Sequence, residues 1–264
     1  MSKTILITGA SRGIGAETAR LAAQSGYSLC LNYRNNRQSA EELCASLVGD
    51  GHRAITCQAD ISVESQVVAM YKAIDREFGR LDGLVNNAGI LETQSDIVDM
   101  SRERWQRILD VNVIGTFLCA REAVKRMSTV NGGHGGSIVN LSSRAADLGA
   151  AHEYVDYAAS KGAVDALTIG LAKEVGDQGI RVNAVKPGLI YTDIHADSGE
   201  AGRESASKLV YQCNVEGYLS RWPKRFYGCF QTLRLIPLVV SSTFPADVSP
   251  WQRCTTPHRF HCCR

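Results

Sequence analysis

The chain has 264 residues, which is enough for one large α/β domain with a well-buried core. Its residues are 44% hydrophobic and 21% charged with a net charge of +2, so no broad basic field indicates nucleic acid as a partner. No apolar run approaches the roughly 20 residues of a membrane span, and the N-terminus "MSKTILITGA" lacks the sections of a signal peptide, so we expect a cytoplasmic protein with reduced cysteines and no membrane partner.

Short apolar runs alternate with helical patterns along the chain. The predicted strands cover residues 4–9, 28–33, 54–60, 82–89, 137–143 and 180–188. The predicted helices cover residues 16–26, 38–51, 63–79, 102–127 and 154–179. Continuous apolar strands separated by helices predict a parallel sheet covered on both faces. We therefore expect a doubly wound, Rossmann-type α/β fold of three layers, α/β/α, whose ligands bind beyond the C-terminal strand ends.

A glycine-rich turn follows the first predicted strand. It reads Gly9-Ala10-Ser11-Arg12-Gly13-Ile14-Gly15, and a helix comes directly after it. Glycines let the backbone turn tightly and approach a pyrophosphate, which the helix N-terminus then stabilises. The spacing is G-x-x-x-G-x-G rather than the commoner G-x-G-x-x-G. Alone it could be an ordinary strand-to-helix turn, but its place after the first strand favours nucleotide binding.

The end of the second predicted strand bears on the choice of cofactor. It reads Asn32-Tyr33-Arg34, without the acid that usually accepts hydrogen bonds from the ribose 2′-hydroxyl of NAD. Arg12 and Arg34 could both face that position, and two guanidinium groups suit a 2′-phosphate. The pattern favours NADP over NAD; the alternative is two solvated surface arginines.

The stretch "YAASK" carries the chemistry. Tyr157 and Lys161 are four residues apart on a predicted helix and share one face. An ammonium near a phenol stabilises the phenolate and lowers its pKa towards working pH, which makes the tyrosine usable as a general acid and base. Tyr154 is two turns from Lys161 and does not fit this arrangement.

Several short motifs occur in a fixed order along the chain. They are "TGASRGIG", Asp60 after the third strand, "NNAG" at residues 86–89, Asn112, Ser142-Ser143, "YAASK" and "PGLIYT". In this ordered set the chain resembles a classical short-chain dehydrogenase/reductase from Lys3 to about Arg203. The resemblance implies a Rossmann fold, a nicotinamide cofactor and a catalytic tetrad.

The tetrad implied by the resemblance is Asn112, Ser143, Tyr157 and Lys161. Tyr157 would donate a proton to a carbonyl oxygen, while Lys161 lowers its pKa and holds the nicotinamide ribose. Ser143 would bond the substrate oxygen, and Asn112 would anchor a water that relays protons; alternatively Asn112 is bonded to local backbone. Ser143 lies 14 residues before Tyr157, one more than is common in the family, and we prefer it to Ser142.

The resemblance also implies the remaining cofactor contacts. Asp60 would meet the adenine, and the adenosine side would be lined by Asn87, Ala88 and Gly89. The nicotinamide carboxamide would be held by Pro187, Gly188, Ile190 and Thr192. For residues 86–89 the alternative is a plain strand-ending turn. No metal site is expected.

The composition changes after residue 204. Five of the six prolines and five of the nine cysteines lie beyond it, and only Glu216 and Asp247 are acidic there. The family's last helix and its strand ending in Asp-x-x-Gly-Gly are missing from this stretch. We therefore divide the chain into a dinucleotide-binding and catalytic domain, residues 1–204, and an anomalous tail, residues 205–264.

Two explanations of the tail were compared. Its last twelve residues, "RCTTPHRFHCCR", hold three cysteines and two histidines, but these do not form the paired knuckles of a zinc site. Alternatively, the tail is the product of a shifted reading frame. In the shifted frame each codon consists of the last base of one written codon and the first two bases of the next. Trp222-Pro223 then gives Ala, and with permitted codon choices the stretch up to Val248 can end in "VAEAILWLLSDASSYSTGSFLDVSGGR". This resembles the missing C-terminus and favours a one-base frameshift near codons 200–210.

These observations predict an NADP-dependent oxidoreductase that transfers hydride between the cofactor and a small carbonyl or secondary alcohol substrate. The alternatives are a nucleotide-sugar epimerase or dehydratase, and a catalytically dead cofactor-binding protein. The family suggests a homo-oligomer, a dimer or tetramer. With the altered tail, we expect the chain as written to be unstable or inactive.

Overall fold

Six parallel strands form one sheet in the order β3-β2-β1-β4-β5-β6 in a computed structural model that describes residues 2–188. The strands are β1 Thr4–Ile7, β2 Ser28–Tyr33, β3 Ala54–Gln58, β4 Gly83–Asn86, β5 Gly136–Leu141 and β6 Ile180–Val185. The predicted doubly wound parallel sheet is confirmed.

Helices cover both faces of the sheet. They are α1 Gly13–Gln24, α2 Arg37–Gly49, α3 Glu64–Phe78, α4 Arg102–Leu109, α5 Thr116–Met127, α6 Ala145–Leu148 and α7 Val155–Glu174. Successive strand residues point to opposite faces, so Leu6 of β1 packs in one core with α3 and α5. Its neighbours Ile5 and Ile7 pack in the other core with α1 and α2. This is why the strands read as continuous apolar runs.

The predicted helix of residues 102–127 is interrupted. A π-helical stretch, Asp110–Gly115, separates α4 from α5 and contains Asn112. Thr116 donates from Oγ1 to the carbonyl of Asn112 over 2.8 Å, and a Cβ on Gly115 would lie 2.7 Å from Ile61. Apolar periodicity cannot show a local widening of the helix. Helix α6 and a 3-10 turn at Ile97–Asp99 were also not predicted.

The centre of the sheet positions the candidate site. The chain moves outward through β2 and β3 on one side of β1, and through β5 and β6 beyond β4 on the other. The C-terminal ends of β1 and β4 therefore flank the topological switch point, where open α/β sheets bind ligands.

No helix within residues 2–188 is both long enough and apolar enough to cross a membrane. Ile190, Thr192, the domain boundary at residue 204 and the anomalous tail lie outside the described residues.

Candidate active site

The glycine-rich turn between β1 and α1 is shaped by close packing. Gly9 and Gly13 have φ angles of 62° and 54°, in the left-handed region that favours glycine. A Cβ on Gly15 would lie 2.5 Å from the carbonyl oxygen of Gly9, so only glycine lets α1 start this close to the strand. Arg12 caps α1 in an extended conformation, and the first turn of α1 holds no acid. A pyrophosphate fits these backbone groups because no carboxylate in that turn would repel it.

The other predicted residues of this turn differ in exposure. Ser11 is half-buried at the mouth of the turn, and Arg12 is exposed. Ile14 is partly buried and packs against the core beneath α1 and α2. Arg12 is therefore the most exposed of the three, while Ser11 and Ile14 are both partly accessible, and Ile14 also anchors the helix.

The turn after β4 holds the glycine turn in place. Asn87 donates from Nδ2 to the carbonyls of Thr8 and Gly9, over 2.8 and 2.9 Å. Thr8 in return accepts on Oγ1 from the backbone N–H groups of Asn87 and Ala88, each over 3.0 Å. "NNAG" thus makes a strand-ending turn and also fixes the floor of the crevice between β1 and β4.

Two residues predicted to contact the adenosine half pair with each other. Arg34 Nε lies 2.9 Å from Asp60 Oδ2, and the Arg34 side chain remains 57% exposed. Asp60 also accepts on Oδ1 from the N–H and hydroxyl of Ser62. Buried Asn32 accepts on Oδ1 from the N–H of Gly9 and links this edge to the glycine turn. A carboxylate therefore anchors the Arg34 guanidinium at the end of β2.

Three of the four tetrad side chains converge beside the C-terminal end of β5. Ser143 follows that strand; its hydroxyl accepts from the N–H of Ala145 over 3.1 Å and lies near enough to the phenol of Tyr157 on α7 to lower the pKa of that phenol. Lys161 is buried with Nζ 5.5 Å from the centre of the Tyr157 ring, and donates to the carbonyl of Leu141 over 2.7 Å. Ser142 instead points to the carbonyl of Lys161. This is the geometry preferred from the sequence, with Ser143 beside the phenol.

Burial sets the proton affinities of this group. It raises the pKa of Tyr157 to about 12, with the neighbouring Ser143 hydroxyl opposing the rise. It lowers the pKa of Lys161 to about 8, with the charge of Asp165 opposing the fall. The sequence predicted a lowered tyrosine pKa, and the structure differs because desolvation of the phenolate dominates and outweighs the lowering effect of Ser143. The neutral phenol is thus the favoured form at neutral pH, ready to donate a proton.

Asn112 joins two parts of the site. It accepts on Oδ1 from the N–H of Ile90 over 2.8 Å, and donates from Nδ2 to the carbonyl of Ile90 and the hydroxyl of Ser160. A Cβ on Gly89 would lie 3.2 Å from Asn112 Oδ1 and 3.5 Å from Lys161 Nζ, so these three residues meet. The side chain positions α7 and the loop after β4, and the water relay stays a prediction.

Comparison with known proteins agrees with this geometry. A family model described as short chain dehydrogenase matches residues 3–202. The chain belongs to this family. It is 57% identical over 198 residues to the uncharacterized oxidoreductase YgfF of Escherichia coli strain K12, a match that covers 75% of this chain and 80% of the relative. This short-chain dehydrogenase is therefore an oxidoreductase, and the match to the family ends close to the change in composition.

Two solved structures of the family superpose well on this chain. A short-chain dehydrogenase from Burkholderia cenocepacia J2315 in complex with NADP is 34% identical, with a TM-score of 0.68 over 74% of this chain and 80% of its own. A short-chain type dehydrogenase/reductase from Mycobacterium marinum is 35% identical, with a TM-score of 0.70 over 75% of this chain and 76% of its own.

The predicted nicotinamide end is described only in part. Pro187 is buried after β6, and its carbonyl accepts from the N–H of Arg144, next to Ser143. Gly188 is exposed at the end of the described residues. The carboxyl ends of β5 and β6 thus bring this loop close to Ser143.

Sequence reasoning missed several residues that build the site. Thr8 and Ser160 hold neighbouring segments by hydrogen bonds, and Asp165 acts on Lys161 through its charge. Small hydroxyl residues inside motifs carry little signal, because their partners are set only by the fold. Asp165 could have been found from its spacing, since it lies one helical turn after Lys161.

Proposed function

We propose that this short-chain dehydrogenase transfers hydride between NADP(H) and a carbonyl or secondary alcohol substrate, with Tyr157 as the general acid and base. The observation that carries this proposal is the convergence of Ser143 and Lys161 on the half-buried Tyr157. A phenol, a hydroxyl and an ammonium in one place are the groups needed to protonate an oxygen that gains negative charge.

Each side chain has a distinct task in the reducing direction. A bound nicotinamide supplies the hydride. Tyr157 donates its phenolic proton to the substrate oxygen, and the Ser143 hydroxyl donates a hydrogen bond to the same oxygen. The resulting phenolate is stabilised by Lys161, whose ammonium lies on the same helix face. In the oxidising direction Tyr157 takes the proton back.

Three observations support NADP rather than NAD. The end of β2 offers the exposed guanidinium of Arg34, held by Asp60, where NAD enzymes of this fold usually place an acid. Arg12 is exposed at the start of α1, near the same crevice. The solved relative from Burkholderia cenocepacia was crystallised with NADP. Two arginines would pair with the two negative charges of a 2′-phosphate.

The test is turnover of the full chain with a panel of ketones, aldehydes and secondary alcohols. Loss of NADPH absorbance with at least one carbonyl, abolished in Tyr157→Phe, is the expected result for a chain that carries the family's C-terminus, whereas the chain as written is expected to be unstable or inactive. Cofactor binding without turnover of any panel member would contradict an active reductase.

A second function, cofactor binding without catalysis, is favoured by the tail. The family match ends at residue 202, and the composition changes after residue 204. Sequencing the gene on both strands from codon 190 to the stop codon separates the two functions. If a base is missing or extra, the protein encoded by the corrected gene should turn over a substrate, and the protein with the sequence given should not. A confirmed frame, together with measured cofactor binding and no turnover, supports the cofactor-binding function.

A further inference from the structure

A buried ion pair adjoins the backbone of Tyr157, the proposed catalytic residue. Arg104 of α4 donates from Nε to Asp156 Oδ2 over 2.6 Å, and from Nη2 to Asp156 Oδ1 over 3.3 Å. The two side chains are 10% and 1% exposed. Asp156 immediately precedes Tyr157, yet none of the tasks proposed above uses either member of the pair.

The carboxylate of Asp156 is hydrogen-bonded to the backbone of Tyr157. Asp156 Oδ1 accepts from the N–H of Tyr157 over 2.8 Å. Tyr154, the N-cap residue of α7, makes no side-chain capping bond, so Asp156 satisfies one of the free N–H groups that begin the helix. The position of the Asp156 carboxylate therefore fixes the first turn of α7, which carries the Tyr157 side chain.

Arg104 in turn fixes the carboxylate to two other segments. Its Nη1 donates to the carbonyl of Thr93, in the loop that follows "NNAG", over 2.7 Å. Its helix, α4, runs directly into the π-helical stretch that holds Asn112. Arg104 and Asn112 thus make two ties between the α4 side and α7, one to Asp156 and one to Ser160.

Stability alone is a weak explanation for such a pair. Taking two charges out of water costs about as much as their attraction returns, and well-packed apolar residues often replace a buried ion pair without loss of stability. The planar guanidinium does, however, fix a carboxylate in direction as well as in distance. A bidentate contact is therefore suited to holding a neighbouring group in place.

We propose that Arg104 and Asp156 are positioning residues that hold the Tyr157 phenol in register with Ser143 and Lys161. The inference rests on the proposed function, since it assigns the pair a part in the same proton transfer. Neither residue touches the reacting atoms. Both act through the first turn of α7, where a displacement of about 1 Å is enough to cost a hundredfold in rate.

The test compares three variants in the full chain. In Arg104→Met/Asp156→Leu both charges are replaced by apolar groups, so the chain keeps its fold and loses the link to the Tyr157 N–H. We expect kcat to fall at least about tenfold with KM changed less than about threefold. Arg104→Lys keeps the charge but not the two-point contact, and should give an intermediate kcat. Arg107→Met/Glu92→Gln removes an exposed pair between the same helix and the same loop, and should leave kcat unchanged.

A readout that needs no turnover accompanies the kinetics. With tyrosine labelled at Cζ, the carbon resonance of Tyr157, assigned from Tyr157→Phe, reports the surroundings of its phenol, including the neighbouring Ser143 hydroxyl. We expect this resonance to move in the double variant and in Arg104→Lys, and to stay in place in the control pair.

The outcomes separate this inference from the proposed function. A folded double variant with wild-type kcat and an unmoved Tyr157 resonance overturns the positioning role, whereas the reductase stands. A wild-type chain that reduces no carbonyl refutes the proposed function, and the resonance then decides alone whether the pair holds Tyr157. If the double variant does not fold, Arg104→Lys decides: wild-type kcat together with an unmoved resonance overturns the inference.

Discussion

Burial of Lys161 links the stability of the domain to pH. Below about pH 8 the folded chain must hold the Lys161 ammonium in a buried site. In the unfolded chain the same ammonium is in water, where its pKa is near 10.5. Between these two values the unfolded state binds more protons than the native state, so the free energy of unfolding rises with pH. A shift from 10.5 to about 8 corresponds to a gain on the order of 3 kcal/mol across this window.

The variant that tests this reasoning is Lys161→Met, which removes the titrating group and keeps the length of the side chain. Urea unfolding is measured for the wild type and the variant at pH values from about 7 to about 10. The difference in unfolding free energy should move in favour of the wild type by up to about 3 kcal/mol as the pH rises. Tyrosines and thiols distant from Lys161 also titrate near the upper end, and the difference between the two proteins removes their contribution.

Two companion variants sharpen the result. Lys173→Met, an exposed lysine on the same helix, controls for the loss of one positive charge. Asp165→Asn removes the carboxylate that raises the pKa of Lys161, so the rise in stability should begin at lower pH. If the difference between wild type and Lys161→Met stays flat across the window, Lys161 does not carry a buried ammonium, and the reasoning fails.

Three further predictions concern the cofactor and the packing around it. Tyr157→Phe should lower turnover by about 10²–10⁴ and change the affinity for NADPH, measured by fluorescence titration, less than about threefold; loss of binding would contradict an acid–base role. Arg34→Ala should shift the ratio of kcat/KM for NADPH over NADH towards NADH by about tenfold or more; an unchanged ratio would show that Arg34 does not contact the 2′-phosphate. Gly15→Ala should destabilise the domain by about 1–3 kcal/mol in urea, because its Cβ would overlap the carbonyl of Gly9. The control Gly170→Ala, at an open position of α7, should stabilise the domain by up to about 1 kcal/mol. If the two substitutions change the free energy of unfolding equally, the overlap of the new Cβ at residue 15 with the Gly9 carbonyl is relieved and the prediction fails.

The sheet was predictable because its signal is local. Each strand carries apolar side chains on both faces, and this pattern survives in a single sequence. The glycine turn and the pair Tyr157 and Lys161 were found for the same reason, since each depends on spacing within one element. The widened helix at Asn112 was missed, because the close approach of Gly115 to Ile61 joins segments distant in sequence and exists only in the folded chain.

Contacts between distant segments were not predictable. Arg104 and Asp156 are 52 residues apart, and each alone is typical of an exposed charge on a helix. The pairing of Arg34 with Asp60 was missed in the same way, since each had been assigned to the cofactor separately. The direction of the tyrosine pKa also depends on burial, and burial of one side chain is a property of the whole fold.

The π-helical stretch makes the spacing between α4 and α5 as important as the identity of their residues. A π-helical turn holds one residue more than an α-helical turn, so α4 and α5 keep a common phase across the stretch. Deleting a single residue between Asp110 and Gly115 would return the stretch to a regular α-helix and leave Cys119, Ala123 and Met127 facing the sheet, but it would remove the turn that presents Asn112 to Ile90 and Ser160. This part of the sequence should therefore tolerate substitutions better than changes in length, and related chains should align through it without gaps.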